Sequence, residues 1–123
     1  MDKKIMLIDD ERDFTELTST LFGFHGLQVD TFNEPADVDA AAQKTHYDLI
    51  VTDLMLPEIN GFEIIAKLRR SDNYRNTPMI ALSAKVLLDD ERKFLLQNKV
   101  HFITKPFEPH ALVDQVSHML NGS

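Results

Sequence analysis

The stretch that decides the fold is IVTDLMLP, from Ile50 to Pro57. Its first half is apolar and rich in β-branched residues, which is typical of a strand buried on both faces of a parallel sheet. The run then reaches Asp53, so the most hydrophobic strand of the chain ends on a carboxylate. A lone aspartate at such a place often faces water or caps a turn. A functional role therefore needs support from the rest of the chain.

Short apolar runs and helical periodicity alternate on both sides of this stretch, with no internal repeat. Strands are predicted over residues 4–8, 27–32, 47–53, 78–83 and 100–104. A helix is predicted after each strand, the first from Phe14 to Gly23 or Gly26 and the others over residues 36–44, 61–70, 87–98 and 108–120. This order predicts an α/β fold, a doubly wound five-stranded parallel sheet with right-handed crossovers and helices on both faces.

Several residues indicate where the helices begin and which side faces the sheet. Asn33 and Pro35 are start signals for the second helix, and Asn60 with Glu63 resembles a capping box at the start of the third. Two apolar stripes at helical spacing are expected to face the sheet. The stripes are Phe14, Leu17, Thr18, Leu21 and Phe22 on the first helix and Leu112, Val113, Val116, Met119 and Leu120 on the fifth.

The composition excludes several classes of protein. The 123 residues include no cysteine, which rules out a disulfide framework and a thiolate metal site. Every apolar run is far shorter than the roughly 20 residues of a membrane helix, and the N-terminus lacks a secretory signal. A formal net charge of −7 disfavours direct binding to nucleic acid or to an anionic membrane. We expect one domain over residues 1–123, in the cytosol, with protein partners.

Polar residues stand at the ends of four predicted strands. Asp9 and Asp10 follow the first strand, Asp53 ends the third, Ser83 ends the fourth and Lys105 follows the fifth. Each alone would pass as a cap or a surface residue, but the carboxyl ends of parallel strands meet at one edge, where such sheets bind ligands. Three carboxylates repel one another and one lysine offsets only part of that repulsion, which favours a bound Mg²⁺. These groups also suit phosphoryl transfer, with Asp53 as the nucleophile.

Four motifs make the chain resemble the receiver domains of two-component response regulators. They are IDDE (Ile8 to Glu11), DLMLPEINGFE (Asp53 to Glu63), LSA (Leu82 to Ala84) and TKPF (Thr104 to Phe107), in the family's order and at its separations. The resemblance implies a flavodoxin-like three-layer sandwich with strand order 2-1-3-4-5. It also implies a phosphoacceptor that catalyses its own phosphorylation and slow dephosphorylation, and is not a conventional enzyme.

The resemblance assigns a role to each residue of the predicted site. Asp53 would accept a phosphoryl group from a phosphohistidine on a partner histidine kinase or phosphotransfer protein. The implied Mg²⁺ ligands are Asp10, Asp53 and the backbone carbonyl of Met55, with Asp9 acting through water. Ser83 and Lys105 would bind phosphoryl oxygens, and the Lys105–Pro106 bond would be cis.

A conformational switch is implied as well. Ser83 would move toward the phosphoryl group and Phe102 would turn inward behind it. These movements would change a face made of helix four, strand five and helix five, and so control a downstream protein target or an attached output domain. Met55 and Lys85 are the side chains best placed to tune dephosphorylation, because neither can accept a proton from the hydrolytic water. Slow hydrolysis is therefore predicted.

Particular residues disfavour other functions. An aspartate-nucleophile phosphatase would also use Mg²⁺, but it needs a second aspartate where Met55 stands. A flavin protein needs a phosphate loop after strand one, where DDERD would repel a phosphate. An inactive receiver serving as a scaffold would show a gap in the acidic pocket, and none is visible. The scattered histidines do not suggest a metal site or a phosphohistidine carrier: His25, His46, His101, His110 and His118.

Overall fold

Five strands of five residues each form one parallel sheet in a computed structural model of the protein, which describes residues 3–56 and 60–121. They are β1 (Lys4–Ile8), β2 (Gln28–Phe32), β3 (Leu49–Asp53), β4 (Met79–Ser83) and β5 (Val100–Thr104). The order across the sheet is β2-β1-β3-β4-β5, and every neighbouring pair is parallel. The predicted fold and strand order are confirmed.

The helices cover both faces of the sheet. They are α1 (Arg12–Phe24), α2 (Val38–Lys44), α3 (Gly61–Arg70), α4 (Asp89–Gln97) and α5 (Pro109–Leu120), with single 3₁₀ turns at Pro35–Asp37 and Asp72–Tyr74. Buried residues of α2, α3 and α4 pack with one face of the strands, and those of α1 and α5 pack with the other. In the described part of the chain, no helix is both long enough and apolar enough to cross a membrane.

Strand β3 lies at the centre of the sheet, and all five of its residues are buried. Ile50 packs into the core beneath α2, α3 and α4, while Leu49 and Val51 pack into the core beneath α1 and α5. This two-sided burial explains why the sequence of the strand is apolar at successive positions. It also fixes Asp53 at the end of a strand that is buried along its whole length.

The apolar stripe predicted for α1 is partly wrong, because Leu17 is 62% exposed. Thr18 and Phe22 are buried as predicted, and Phe14 and Leu21 are partly buried. Thr15 is buried although it was not assigned to the stripe. A threonine tolerates this position because its hydroxyl donates to the Arg12 carbonyl at 3.0 Å and so satisfies its own polarity.

The helix starts agree only in part with their predicted signals. Asn60 Oδ1 accepts a hydrogen bond from the Glu63 amide at 3.0 Å, as expected for the cap of α3. Pro35 is the first residue of its 3₁₀ turn, but Asn33 does not cap that turn. The Asn33 amide donates instead to the Asp9 carbonyl at 2.8 Å, across the edge of the sheet.

The turn from α4 into β5 contains an unusual backbone conformation. Lys99 has a φ of 56°, in the left-handed region that favours glycine. The position follows the C-cap of α4, where glycine is the commonest residue. The backbone is therefore strained at Lys99, just before β5 begins.

Candidate functional site

The polar strand ends meet at one edge of the sheet, as the sequence predicts. Ile8 of β1 pairs with Thr52 of β3, so the residues that follow them, Asp9 and Asp53, are neighbours across the two strands. Asp10 joins them, and one carboxylate oxygen from each of the three residues lies within 4.8 Å of the others. Among residues 3–56 and 60–121, this is the one group of three or more acidic or histidine side chains close enough to share a metal ion.

Lys105 contacts two members of this group. Its Nζ donates to Asp9 Oδ2 at 2.7 Å and to Asp53 Oδ2 at 2.9 Å, and it lies 3.7 Å from Glu11 Oε1. The same Nζ is 4.7 Å from the centre of the Phe14 ring, a distance typical of a cation–π contact. The lysine side chain is only 14% exposed, so its charge is held by protein groups.

Burial and charge act in opposite directions on this pair. Burial raises the pKa of Asp9, although hydrogen bonds from Lys105 and from the Glu11 amide work against that rise. Burial also disfavours the charge on Lys105, but its hydrogen bonds with Asp9 and Asp53 outweigh burial and raise the pKa of Lys105. The lysine therefore stays charged over the whole neutral range.

The Asp53 carboxylate is held on both oxygens. Oδ2 accepts from Lys105, and Oδ1 accepts from the Met55 amide at 2.8 Å. Its side chain is 8% exposed, which leaves a narrow approach from solvent. The preceding strand and these two hydrogen-bond donors therefore hold the Asp53 carboxylate at the edge of the sheet.

Gly61 allows α3 to begin directly against the backbone of Asp53. A Cβ at this position would overlap the Asp53 carbonyl oxygen and would lie 2.8 Å from the Leu54 Cα. The Gly61 amide donates to the Leu54 carbonyl at 3.0 Å, which fixes the approach. This position needs glycine because there is no room for a side chain, and not because its backbone angles require glycine.

Asp10 differs from its two neighbours because it is exposed and makes no hydrogen bond or ion pair with any part of the chain that the structure describes. It therefore adds an uncompensated negative charge beside Asp9 and Asp53. Three carboxylates of this kind are the oxygen donors that Mg²⁺ takes in proteins. The Met55 side chain, two residues beyond Asp53, is 55% exposed at the mouth of the site.

Ser83 is fully buried, and its hydroxyl is engaged with the backbone two residues further on. Its Oγ accepts from the Lys85 amide at 3.1 Å and donates to the Lys85 carbonyl at 3.4 Å. The Lys85 side chain donates to Glu91 Oε2 at 2.9 Å. Its ion-pair partner is thus a residue in the first turn of α4.

Two further sequence predictions concern β5. The Lys105–Pro106 peptide bond is cis, as the resemblance implied. Phe102 is partly buried and lines a cleft of about 220 Å³ between α4 and β5. The predicted movement of Phe102 on phosphorylation stays a prediction.

Sequence reasoning missed several residues that support the site. The Asn33 amide donates to the Asp9 carbonyl and also lies 3.1 Å from the Thr15 hydroxyl, so it joins the start of α1 to the end of β1. Phe14 contacts the Lys105 ammonium, and its ring also meets Phe107 edge to face at 5.9 Å. An asparagine one residue past a strand end was the available signal, but it is also a common helix-start residue.

Comparison with known proteins gives a consistent result. Residues 5–117 match the family model described as "Response regulator receiver domain". The chain is 32% identical over 120 residues to the regulatory protein VanRc of Enterococcus gallinarum, covering 98% of this chain and 51% of VanRc. It is 30% identical over 113 residues to protein PilG of Pseudomonas aeruginosa, covering 92% of this chain and 84% of PilG. The chain thus spans about half the length of VanRc and most of PilG.

Solved structures show the same fold. The chemotaxis protein CheY4 of Vibrio cholerae has a TM-score of 0.87 at 24% identity, with 96% of this chain and 98% of that chain covered. A CheY-like receiver domain protein from Methanospirillum hungatei has a TM-score of 0.90 at 21% identity, with 98% and 95% covered. Because the family model spans most of the sequence and the fold is shared throughout, the chain belongs to the response regulator receiver domain family.

Proposed function

We propose that Asp53 accepts a phosphoryl group from a phosphohistidine on a partner histidine kinase or phosphotransfer protein. In this step the nitrogen–phosphorus bond of the donor breaks and an oxygen–phosphorus bond to the Asp53 carboxylate forms. The observation that carries the proposal is the placement of Asp53. It is nearly buried, hydrogen-bonded to Lys105 at 2.9 Å, and grouped with Asp9 and Asp10 within 4.8 Å.

Mg²⁺ is the cofactor that this group of residues fits. Asp10 and Asp53 would bind it directly together with the Met55 carbonyl, and Asp9 would act through water. When bound, the ion neutralises charge on the phosphoryl oxygens as the group is transferred. Asp9 and Lys105 are already paired, so the carboxylate without a partner, Asp10, is the one most in need of a cation.

Lys105 and Ser83 would stabilise the transferred phosphoryl group. Lys105 already contacts Asp53, so its ammonium would need only a small movement to pair with a phosphoryl oxygen. The Ser83 hydroxyl would exchange its hydrogen bonds with the Lys85 backbone for one to the phosphoryl group. That exchange would change the loop that leads into α4, and with it the face formed by α4, β5 and α5.

An apolar groove beside the site supports docking of the phosphohistidine protein. The groove has a volume of about 400 Å³, and its lining includes the active-site residue Lys105 together with Phe14, Leu17, Pro106 and Phe107. Leu17 is largely exposed in it and adds to a contiguous apolar patch, which is the kind of surface that marks a protein contact. A partner helix seated here would hold its histidine close to Asp53.

The whole chain, residues 1–123, would act as one phosphoacceptor unit. Its output would be either a separate protein target or a domain attached to this one. The regulatory protein VanRc is about twice as long as the segment it shares with this chain, whereas the shared segment makes up 84% of PilG. Neither arrangement changes the chemistry at Asp53.

Phosphorylation with and without Mg²⁺ tests the proposal. The protein is incubated with acetyl phosphate or with a phosphorylated phosphotransfer protein, and intact-protein and peptide mass spectrometry locate the label. We expect Mg²⁺-dependent labelling at Asp53 that Asp53→Asn abolishes, while Asp39→Asn, a surface carboxylate on α2, leaves it unchanged. Equal labelling of Asp53→Asn, or no labelling of the wild type under any condition, would instead indicate another acceptor or a scaffold.

A further inference from the structure

Helix α4 is held to the rest of the protein more by polar contacts at its ends than by its core-facing side. Leu95 is the one fully buried residue among its nine positions, and the next residue, Leu96, is 79% exposed. Phe94 adds a partly buried contact, with its ring 5.5 Å from the ring of Phe62 on α3. A helix with so little buried apolar surface depends on its terminal contacts for its position.

The N-terminal end of α4 is tied to the Ser83 loop through Glu91. One Glu91 oxygen accepts from the Leu88 amide at 2.8 Å, and the other accepts from Lys85 Nζ at 2.9 Å. The Lys85 amide in turn donates to the Ser83 hydroxyl at 3.1 Å. A continuous chain of contacts therefore runs from Ser83 through Lys85 and Glu91 to the first turn of the helix.

The C-terminal end of α4 is tied to α3 by a different residue. Arg69 Nε donates to the Asn98 carbonyl at 2.9 Å, and its Nη1 donates to the Tyr74 carbonyl at 2.7 Å. The guanidinium thus compensates the negative end of the α4 dipole and joins it to the loop that precedes β4. Neither of these contacts involves the loop after Ser83.

We propose that the Lys85–Glu91 ion pair is a latch that holds the N-terminal end of α4 in its resting position, while Arg69 fixes the C-terminal end as a pivot. The release of this latch by phosphorylation rests on the proposed function. When Ser83 turns to the phosphoryl group, the Lys85 backbone loses its partner, and the lysine side chain can no longer keep its place on Glu91. The first turn of α4 then moves while its last turn stays.

Charge explains why the latch uses a lysine. The first turn of α4 carries Asp89, Asp90 and Glu91, which favour the positive end of the helix dipole but repel one another. Lys85 approaches this turn from the loop and pairs with Glu91 alone. Because the pair is partly exposed, its contribution is modest, and it would bias a two-state equilibrium without locking it.

The test compares Lys85→Met with two controls. Lys67→Met breaks an ion pair of similar length, 2.8 Å to Asp39, on a surface away from the loop. Lys85→Arg keeps the charge and should keep the latch. Glu91→Gln keeps an oxygen that can accept from the Leu88 amide but removes the ion pair. The double variant with Lys85→Met should show no larger effect than either single variant, because both substitutions remove the same ion pair.

The first measurement is amide hydrogen exchange without Mg²⁺ or any phosphoryl donor. The Arg92 amide donates to the Leu88 carbonyl at 3.0 Å in the first turn, and the Asn98 amide donates to the Phe94 carbonyl at 3.0 Å in the last turn. Lys85→Met should speed exchange at Arg92 roughly two- to fivefold and leave Asn98 unchanged. Arg69→Met should give the opposite pattern.

The second measurement is binding of beryllofluoride with Mg²⁺, a mimic of the phosphoryl group. Because the latch favours the resting state, its loss should tighten this binding roughly two- to fivefold, with no change in Lys67→Met or Lys85→Arg.

The proposed latch is contradicted if Lys85→Met leaves amide hydrogen exchange at Arg92 unchanged. Its link to the site is wrong if exchange at Arg92 speeds up but binding of the mimic does not tighten. A wild type that does not bind the mimic would contradict the proposed function and the proposed release, and exchange at Arg92 would still decide whether the resting latch exists.

Discussion

Replacing Lys105 by methionine should destabilise the protein by about 3–4 kcal/mol at pH 7 in the absence of Mg²⁺. Methionine keeps most of the aliphatic length but removes the charge that Asp9 and Asp53 share, at 2.7 and 2.9 Å. Removing one partner of a buried ion pair typically costs about 3–5 kcal/mol, because the remaining charge has no compensation. Here two carboxylates, one of them fully buried, would lose their common cation.

Protonation sets an upper limit to this loss. If one proton taken up by Asp9 replaces the missing charge, its cost at pH 7 is about 4 kcal/mol, since each pH unit above an ordinary aspartate pKa costs about 1.4 kcal/mol. At pH 5 the same limit falls to about 1.5 kcal/mol. The penalty comes from a pKa of Asp9 that is raised in the folded state, so it is complete above the raised pKa and disappears below the ordinary one.

Urea unfolding followed by circular dichroism at pH 7 and pH 5 measures the effect. With a slope of about 1.5 kcal/mol per molar urea, the midpoint at pH 7 should fall by about 2 M, and the difference from wild type should shrink at pH 5. Lys67→Met, which breaks the exposed pair with Asp39, should cost less than about 1 kcal/mol at both pH values. A Lys105→Met loss no larger than that of Lys67→Met, or one equal at both pH values, would refute the electrostatic reasoning.

Three other perturbations have clear expected outcomes. Without Mg²⁺, Asp10→Asn should stabilise the protein by up to about 1 kcal/mol by relieving repulsion, and it should reduce the rise in melting temperature that Mg²⁺ produces in the wild type. Gly61→Ala should cost at least about 2 kcal/mol in urea unfolding because its Cβ would overlap the Asp53 carbonyl, whereas Gly23→Ala, with nothing within 4 Å of the added carbon, should be neutral or stabilising. Met55→Asn should hydrolyse its phosphoryl group faster than wild type or Met55→Leu in a decay assay, since an amide can orient the attacking water and the exposed methionine cannot.

The fold was predictable because its main signals are local. The two-sided burial of β3 requires successive apolar residues, and a run such as LIVTD shows this directly in the sequence. The grouping of the polar strand ends was also predictable, since parallel strands place their carboxyl ends together whatever the helices do. The predicted and observed strand boundaries consequently agree to within two residues for every strand.

The exposure of Leu17 was not predictable from periodicity. A helix that packs beside the site uses part of its surface to support Asp9 and Lys105, and Thr15 occupies the inward position there by hydrogen bonding with Asn33 and the Arg12 carbonyl. The spacing of apolar residues gives the direction of a stripe but not its width. Such a departure from a simple apolar pattern is expected next to a functional site.

The partner of Lys85 was also hidden in the sequence. Lys85 and Glu91 are six residues apart, with a loop between them, so neither strand nor helix spacing brings them together. Their contact depends on where α4 begins. The helix begins two residues later than its apolar pattern predicts, because Leu88 is the N-cap residue and its amide donates to the Glu91 side chain. Contacts that cross the start of an element are the least readable from its periodicity.

The charges at the site indicate how its state is communicated. Asp9, Asp10 and Asp53 carry three negative charges against the one positive charge of Lys105, and a divalent cation would balance the remaining two. Phosphorylation of Asp53, as proposed, would replace one carboxylate charge with a phosphoryl charge of about −1.5 to −2 at pH 7, so the net change would be at most about one unit. A change in charge this small, next to a cation and a lysine, would alter the electrostatic field at α4 very little. On the proposed function the signal would instead travel through hydrogen bonds, and the Ser83 hydroxyl, which is buried and already bonded to the loop before α4, is the group whose change of partner would move that helix.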